Sequence, residues 1–287
     1  VATPIDNPAD MRAWSDDVRA AGGTIALVPT MGALHRGHLE LIDAAGRRAD
    51  RVVVSIFVNP LQFGESTDFE HYPRPLDDDL IACRDAGVDV AYVPSAARMY
   101  PQGFATTVQV SGLTHTMEGA SRPGHFDGVA TVVTKLVAAT SPHVAMFGEK
   151  DFQQLAIVRR LAVDLDLGVE IVGHPTVREP DGLALSSRNR RLSAGQRRAA
   201  TAMPRALAAA VAVARSAGSR PDDVIQAARR VLEDEPLATL DYVSVFDPTT
   251  LEPVHELRDR AIGCTRVAIA ARFGEVRLID NTDLFAD

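Results

Sequence analysis

The sequence predicts an α/β protein: a Rossmann-like, doubly wound, five-stranded parallel sheet followed by a smaller C-terminal α+β domain. Three observations carry this. Five short apolar runs, at 24–28, 52–58, 88–93, 144–147 and 169–172, are separated by stretches of helical spacing, the alternation expected of right-handed parallel crossovers. The second run, Val52-Val53-Val54-Ser55-Ile56-Phe57-Val58, is β-branched almost throughout, as a strand covered on both faces should be. After Asn189 the character changes to an alanine-rich helix, a second helix and three strand-like runs. The boundary is placed at 1–185 and 186–287.

In chain order, Pro8 at a first helical position and Gly22-Gly23 beyond the last frame an opening helix through Trp14 and Val18. Strand one, Thr24-Ile25-Ala26-Leu27-Val28, runs into Pro29-Thr30-Met31-Gly32-Ala33-Leu34-His35-Arg36-Gly37-His38, and a helix follows from Leu39. Strand two stops at Pro60, leaving the polar pair Asn59 and Gln62 at its tip. A short helix around Leu80 stops at Gly87 before strand three. An irregular stretch carries a strand at 106–110 and then Arg122-Pro123-Gly124-His125. A helix with Val129, Val132, Val133, Leu136 and Val137 leads to strand four, and Gly148-Glu149-Lys150-Asp151 opens the next helix. Strand five runs out through Val177 to Leu185-Ser186-Ser187-Arg188-Asn189. Ser193 and Gln196 make a capping box. Pro204 should kink or break the helix that follows. Pro221 starts another helix, to about Glu233, and strands at 241–246, 265–271 and 276–279 complete the chain.

Composition narrows the function classes. A net charge of −8 argues against wide contact with nucleic acid. The longest apolar run, 206–214, is too short to span a bilayer, and the opening Pro-Ile-Asp-Asn-Pro lacks a signal pattern. Two cysteines, Cys83 and Cys264, make no disulfide framework and no cysteine zinc site, which fits a reducing cytoplasm. A soluble cytoplasmic protein with small-molecule partners, no nucleic acid and no membrane is expected.

In an open sheet of order 3-2-1-4-5, strands one and four meet at the topological switch point, and ligands bind at the carboxyl ends there. His35 and His38 follow strand one, Gln62 strand two, Lys150 and Asp151 strand four, and the Ser-Ser-Arg loop strand five. Four polar clusters converge on one crevice. His35 and His38, three apart, share one face of a first helical turn, where free N–H groups and the helix dipole favour phosphate. Gly32 and Gly37 let backbone and imidazoles approach a ligand. A metal pair is an alternative, but helical zinc sites need further ligands. Lys150 supplies a point charge for phosphate, and Ser186, Ser187 and Arg188 suit pyrophosphate. Asp151 reads as a helix N-cap or a ribose acceptor. Asp77-Asp78-Asp79 reads as a dipole partner at a helix start in preference to a magnesium site. Taken singly, Gln62 and Gln154 are expected to be solvent-exposed. His125 either lines the crevice or is structural.

The His-Arg-Gly-His run is similar to the HxGH signature of nucleotidyltransferases. Together with Phe57-Val58-Asn59-Pro60-Leu61-Gln62-Phe63, Phe147-Gly148-Glu149-Lys150-Asp151 and Asp181-Gly182-Leu183-Ala184-Leu185-Ser186-Ser187-Arg188-Asn189, it resembles the pantothenate synthetase family over nearly the whole chain. The resemblance implies ATP-dependent condensation of pantoate with β-alanine through a pantoyl-adenylate, releasing AMP and pyrophosphate. It implies a magnesium requirement, with Mg²⁺ held mainly by ATP phosphates, and a homodimer. It makes the first domain the ATP- and pantoate-binding one; the second, whose hinge falls close to the Ser-Ser-Arg loop, is expected to act as a lid. His38, His35, Lys150 and Arg188 are the implied catalytic residues. ATP is expected along Met31, Gly32, Ala33, Leu34, His35, Arg36, Gly37 and His38; along Gly148, Glu149, Lys150 and Asp151; at Val177; and along Leu185, Ser186, Ser187 and Arg188. Pantoate is expected on Gln62, Gln154 and Asn59, with Gln62 also near β-alanine. Arg36 stands where the family often carries an acidic residue, and is expected to face outward. The rival functions are a nucleotidyltransferase acting on a phosphorylated acceptor and a nucleotide-sensing module without turnover.

Overall fold

A computed structural model describes residues 3–64, 69–257 and 260–286. The elements, in chain order, are β1 (Thr3–Ile5), α1 (Pro8–Ala20), β2 (Ile25–Thr30), α2 (Arg36–Gly46), β3 (Arg51–Ile56), α3 (Leu76–Asp85) and β4 (Val90–Tyr92). Then come α4 (Ala96–Met99), α5 (Met117–Ser121), α6 (His125–Thr140), β5 (Val144–Gly148), α7 (Phe152–Asp164) and β6 (Glu170–His174). The C-terminal part holds α8 (Ala194–Ala199), α9 (Ala202–Ala214), α10 (Pro221–Glu233), β7 (Thr239–Phe246), β8 (Arg266–Phe273) and β9 (Val276–Asp283).

The parallel sheet has the order β1-β4-β3-β2-β5-β6. The expected five strands stand in the expected order, so β2 and β5 are neighbours at the switch point. The sixth, β1, pairs parallel with β4 at the edge. It holds only three residues, and Pro4 lacks a ladder donor, which an edge strand tolerates; that is why it does not read as a strand in sequence. The expected strand at 106–110 pairs with no strand among the described residues. The segment packs on α6 with Val110 buried, and the Val108 N–H donates to Thr131 Oγ1 at 2.9 Å.

The alternation of β2 builds two cores. Ile25 and Leu27 face one layer with α1, α6 and α7, while Ala26 and Val28 face the other with α2 and α3. Pro29 then opens the crevice. Residues of its parity bond toward β5, as the Ile25 carbonyl does with the His143 N–H, and proline has no N–H to give. The β2–β5 pairing accordingly stops at Leu27↔Ala145, while β2–β3 continues to Thr30↔Ile56. The carboxyl ends of β2 and β5 part there.

The C-terminal part packs α9 and α10 on the antiparallel sheet β7-β8-β9 around a separate core that includes Met203, Leu207, Val224, Leu232, Ile269 and Phe273. The Ser193–Gln196 capping box is present. The helix breaks at 200–201, which leaves Pro204 in the first turn of α9, where no intrahelical N–H is required. A smaller apolar cluster of Met117, Phe246, Leu251 and Ala268 joins the two parts.

Candidate active site

One cavity of about 1050 Å³ lies over the carboxyl ends of the parallel sheet, between it and the C-terminal sheet. That volume is at the upper end for small-molecule sites.

The turn after β2 is held by a group that the sequence reading assigned to a helix dipole. Asp79, buried in the first turn of α3, accepts hydrogen bonds from the backbone N–H groups of Ala33 (2.8 Å) and Leu34 (2.7 Å). Burial pushes its carboxyl above the usual range, against those two bonds. Gly32 and Ala33 both have positive φ, +79° and +50°. A Cβ on Gly32 would sit 2.8 Å from Asp79 Oδ2, so the anchor requires glycine there.

This turn delivers His35 to the N-cap of α2 and His38 to its third position. Gly37 between them relieves crowding, since a Cβ would lie 3.0 Å from the His35 ring. The His35 N–H donates to His38 Nδ1 at 3.3 Å, which leaves the proton of neutral His38 on Nε2. His35 Nδ1 is buried and has no hydrogen-bond partner among the described residues. Burial lowers both imidazoles, His35 to about 4 and His38 to about 3, with the nearby Lys150 charge adding to each. Both rings are neutral at neutral pH.

Lys150 follows β5. Its side chain is 17% exposed, with Nζ 3.7 Å from the Asp151 carboxylate. Asp151 sits at the N-cap position of α7 but makes no capping bond; its carboxylate is on the cavity wall.

Gln62 is buried, contrary to the exposed placement expected for it alone. Gly128 lets α6 press on its turn, since a Cβ there would lie 2.3 Å from the Leu61 carbonyl oxygen. Asn59 Nδ2 donates to Gln62 Oε1 (3.0 Å) and to the Gly128 carbonyl (3.0 Å). Asn59 Oδ1 accepts from Tyr100 (2.7 Å). Asn59 thus orients Gln62 with a carboxamide engaged inside the protein. The Gln62 carbonyl accepts from His125 Nδ1 at 2.7 Å, and burial lowers His125 to about 4. Gln154 is half-buried on α7 and lines the cavity, whereas its neighbour Gln153 is buried, with its amide on the Glu118 N–H and the carbonyls of Leu113 and Thr116.

Ser186, Ser187 and Arg188 close the remaining side. The Ser186 hydroxyl caps the short 3₁₀ turn by accepting from the Arg188 N–H, Ser187 Oγ is 3.3 Å from the Tyr72 hydroxyl, and the Arg188 guanidinium lies over the Tyr72 ring. Of the residues expected on ATP, Met31, His35, Gly37, His38, Gly148, Lys150, Asp151, Val177, Leu185, Ser186, Ser187 and Arg188 line the cavity. Gly32, Ala33, Leu34, Arg36 and Glu149 are not part of that lining. Arg36 is exposed, pairing with Glu40 at 3.8 Å and with the Arg178 carbonyl.

The C-terminal sheet supplies cavity residues that the sequence reading missed, among them Tyr242, Arg277, Asp280 and Asn281. Arg277 forks onto Glu118 (2.7 Å twice) and reaches Asp241 (2.7 Å), joining the two parts. The available signal was an apolar run ending in a polar pair, Leu278-Ile279-Asp280-Asn281, the pattern that exposed Asn59 and Gln62 after β3.

Comparisons agree with this architecture along the whole chain. Residues 3–283 match the family model described as pantoate-beta-alanine ligase. A pantothenate synthetase of Geobacter sulfurreducens is 50% identical over 281 residues, 96% of each chain. The crystal structure of pantothenate synthetase from Thermus thermophilus superposes with a TM-score of 0.91 at 46% identity, covering 99% of this chain and 100% of that one. A pantoate-beta-alanine ligase from Francisella tularensis, complexed with beta-gamma ATP and β-alanine, gives 0.82 at 32% identity, covering 100% and 99%.

Proposed function

The chain belongs to the pantoate–β-alanine ligase family, and on that premise we propose how its crevice performs the family's reaction. The protein is an enzyme that joins pantoate to β-alanine at the expense of ATP, forming pantothenate. A pantoate carboxylate oxygen attacks the α-phosphorus of ATP, forming pantoyl-adenylate and expelling pyrophosphate. The β-alanine amine then attacks the acyl carbon, loses a proton, and releases AMP as the amide forms.

The observation that carries the assignment of roles is the stacked, neutral histidine pair at the switch point, with one buried ring nitrogen left without a partner among the described residues. Two anions must meet in the first step, so the site has to present oriented donors and positive charge with water excluded. His38 Nε2–H and His35 face the triphosphate from the N-terminus of α2. Lys150 and Arg188 hold it from two other walls, and Ser186 and Ser187 lie beside Arg188. The hairpin around Val177 borders the adenine. Gln62 and Gln154 hold pantoate, Gln62 from a position locked by Asn59 and His125.

The donor set suits a Mg²⁺ that arrives on the ATP phosphates and keeps its waters, with the Asp151 carboxylate as a protein ligand beside Lys150; among the described residues no three His, Cys, Asp or Glu side chains are grouped to hold a resident ion. An ion held there would supply positive charge against the leaving pyrophosphate. Residues 1–185 then form the ATP- and pantoate-binding domain, and 186–287 the domain that closes over it. The same family reading supports a homodimer in the cytoplasm; no helix among the described residues is long and apolar enough to cross a membrane.

The deciding experiment is exchange of labelled pyrophosphate into ATP with Mg²⁺ and pantoate present and β-alanine absent. Exchange that vanishes without pantoate is expected. Pantothenate formation with no exchange, and no adenylate trapped by rapid quench, would overturn the stepwise path. AMP release that requires both pantoate and β-alanine separates this reading from a nucleotidyltransferase or a sensor.

A further inference from the structure

Two consecutive residues of β9 reach from the C-terminal sheet to both walls of the cavity. Asn281, buried, donates through Nδ2 to the carbonyls of Glu149 and Lys150, each at 2.9 Å. Its Oδ1 accepts from Arg266 Nε (3.1 Å) and Nη2 (2.7 Å). Only an oxygen can face a guanidinium, so the amide has one orientation and its nitrogen must point at the turn. Arg266 is itself fixed, 3.7 Å from the Glu149 carboxylate and 4.2 Å above the Phe152 ring. Asp280, 1% exposed at its side chain, takes the Arg178 guanidinium in a fork at 2.7 and 3.1 Å. Arg178 belongs to the hairpin in which the Leu185 N–H donates to the Val177 carbonyl.

Residues 149–151 form a single 3₁₀ turn. Such a turn is held by i→i+3 bonds of poorer geometry than an α-helical ladder, and a lysine on it carries a long, flexible stem. The bonds from Asn281 go to the main chain of Lys150 and of the residue before it, so they constrain where that stem begins. A buried carboxamide with both ends satisfied is costly to misplace, because either end left unpaired loses its desolvation compensation.

We infer that Asn281 is a positioning residue for Lys150: through the turn carbonyls it sets the direction in which Nζ is presented to the ATP phosphates. The C-terminal sheet thereby shapes the nucleotide site through the main chain of the Lys150 turn as well as covering it. This rests on the proposed contact of Lys150 with phosphate.

The test is a double-mutant cycle in the whole enzyme, read by pantoate-dependent pyrophosphate exchange, with Asn281→Ala, Lys150→Ala and both. Asn281→Ala alone is expected to raise KM for ATP and lower the exchange rate about tenfold or more, leaving KM for pantoate within about twofold. In the Lys150→Ala background the same substitution should cost less than about twofold. Equal losses in both backgrounds would overturn the inference, since Asn281 would then act independently of Lys150. Exchange unchanged by Lys150→Ala alone would instead overturn the phosphate role of Lys150. If Asn281→Ala fails to fold, Asn281→Asp carries the test: it keeps the volume and the Arg266 contact but turns an oxygen toward the two carbonyls. A folded Asn281→Asp enzyme with an unchanged KM for ATP would also refute the inference.

Discussion

The rings of His35 and His38 are stacked, with centroids 4.0 Å apart and planes 28° from parallel. The arrangement gives the pair one donor each without charging either ring. Replacing His38 with alanine should lower the rate of pantoyl-adenylate formation by about a hundredfold to a thousandfold, the scale for one transition-state donor. Single-turnover measurement checks it, and a rate within about threefold of the parent would remove His38 from the chemistry.

The same burial makes stability depend on pH. Desolvation, aided by Lys150, lowers His35 to about 4 and His38 to about 3, and desolvation beside Arg122 lowers His125 to about 4. Unfolded, each titrates near 6.5. Below that value the unfolded chain binds more protons than the folded one, so the stabilisation is complete above about pH 6.5 and is lost as pH falls toward 4. Each group contributes a slope of up to ~1.4 kcal/mol per pH unit in that window. The urea midpoint should drop between pH 7 and pH 5, and His125→Gln should flatten the drop.

Gln62 and Gln154 offer neutral hydrogen bonds, which suit hydroxyls better than phosphates. Gln62→Ala and Gln154→Ala should each raise KM for pantoate well beyond KM for ATP, at about 0.5–1.5 kcal/mol per lost bond. The larger effect belongs to Gln62, whose removal also leaves one N–H of the buried Asn59 amide without its acceptor. Steady-state kinetics with each substrate varied in turn decide it; equal losses for pantoate and ATP would mean that the glutamines only shape the pocket.

Asp79 does not line the cavity, yet it anchors the turn that carries both histidines. Asp79→Ala leaves the Ala33 and Leu34 N–H groups buried without an acceptor, at about 1–3 kcal/mol each. Lower thermal stability and a large loss of adenylation are expected, with Asp79→Asn restoring part of both through its remaining oxygen. Wild-type adenylation in a folded Asp79→Ala enzyme would show that the turn holds its shape without the anchor.

Where strands and the turns at their ends were legible, the signals were local. The run from Val52 to Val58 can hardly be anything but a covered strand, and the Gly-punctuated turn from Met31 to His38 declares its close approach in its own residues. Pro221 and the Ser193–Gln196 pair mark helix starts within a few residues of themselves. By contrast, the stretch at 106–110 alternates like a strand but has no strand paired with it among the described residues, and Thr3–Ile5 becomes one only because β4 offers an edge.

The five strands β2 to β6, the switch point between β2 and β5 and the polar residues at the strand ends were therefore readable from the chain alone, because each depends on periodicity or on a turn within one segment. It took the folded packing to show that Asp79 anchors the histidine turn 46 residues away, that Gly128 buries Gln62, and that Asn281 clasps the main chain of Lys150 from another sheet. Those are contacts between segments distant in the chain, and a hydrogen bond has no signature in sequence until packing has brought its donor within about 3 Å of its acceptor.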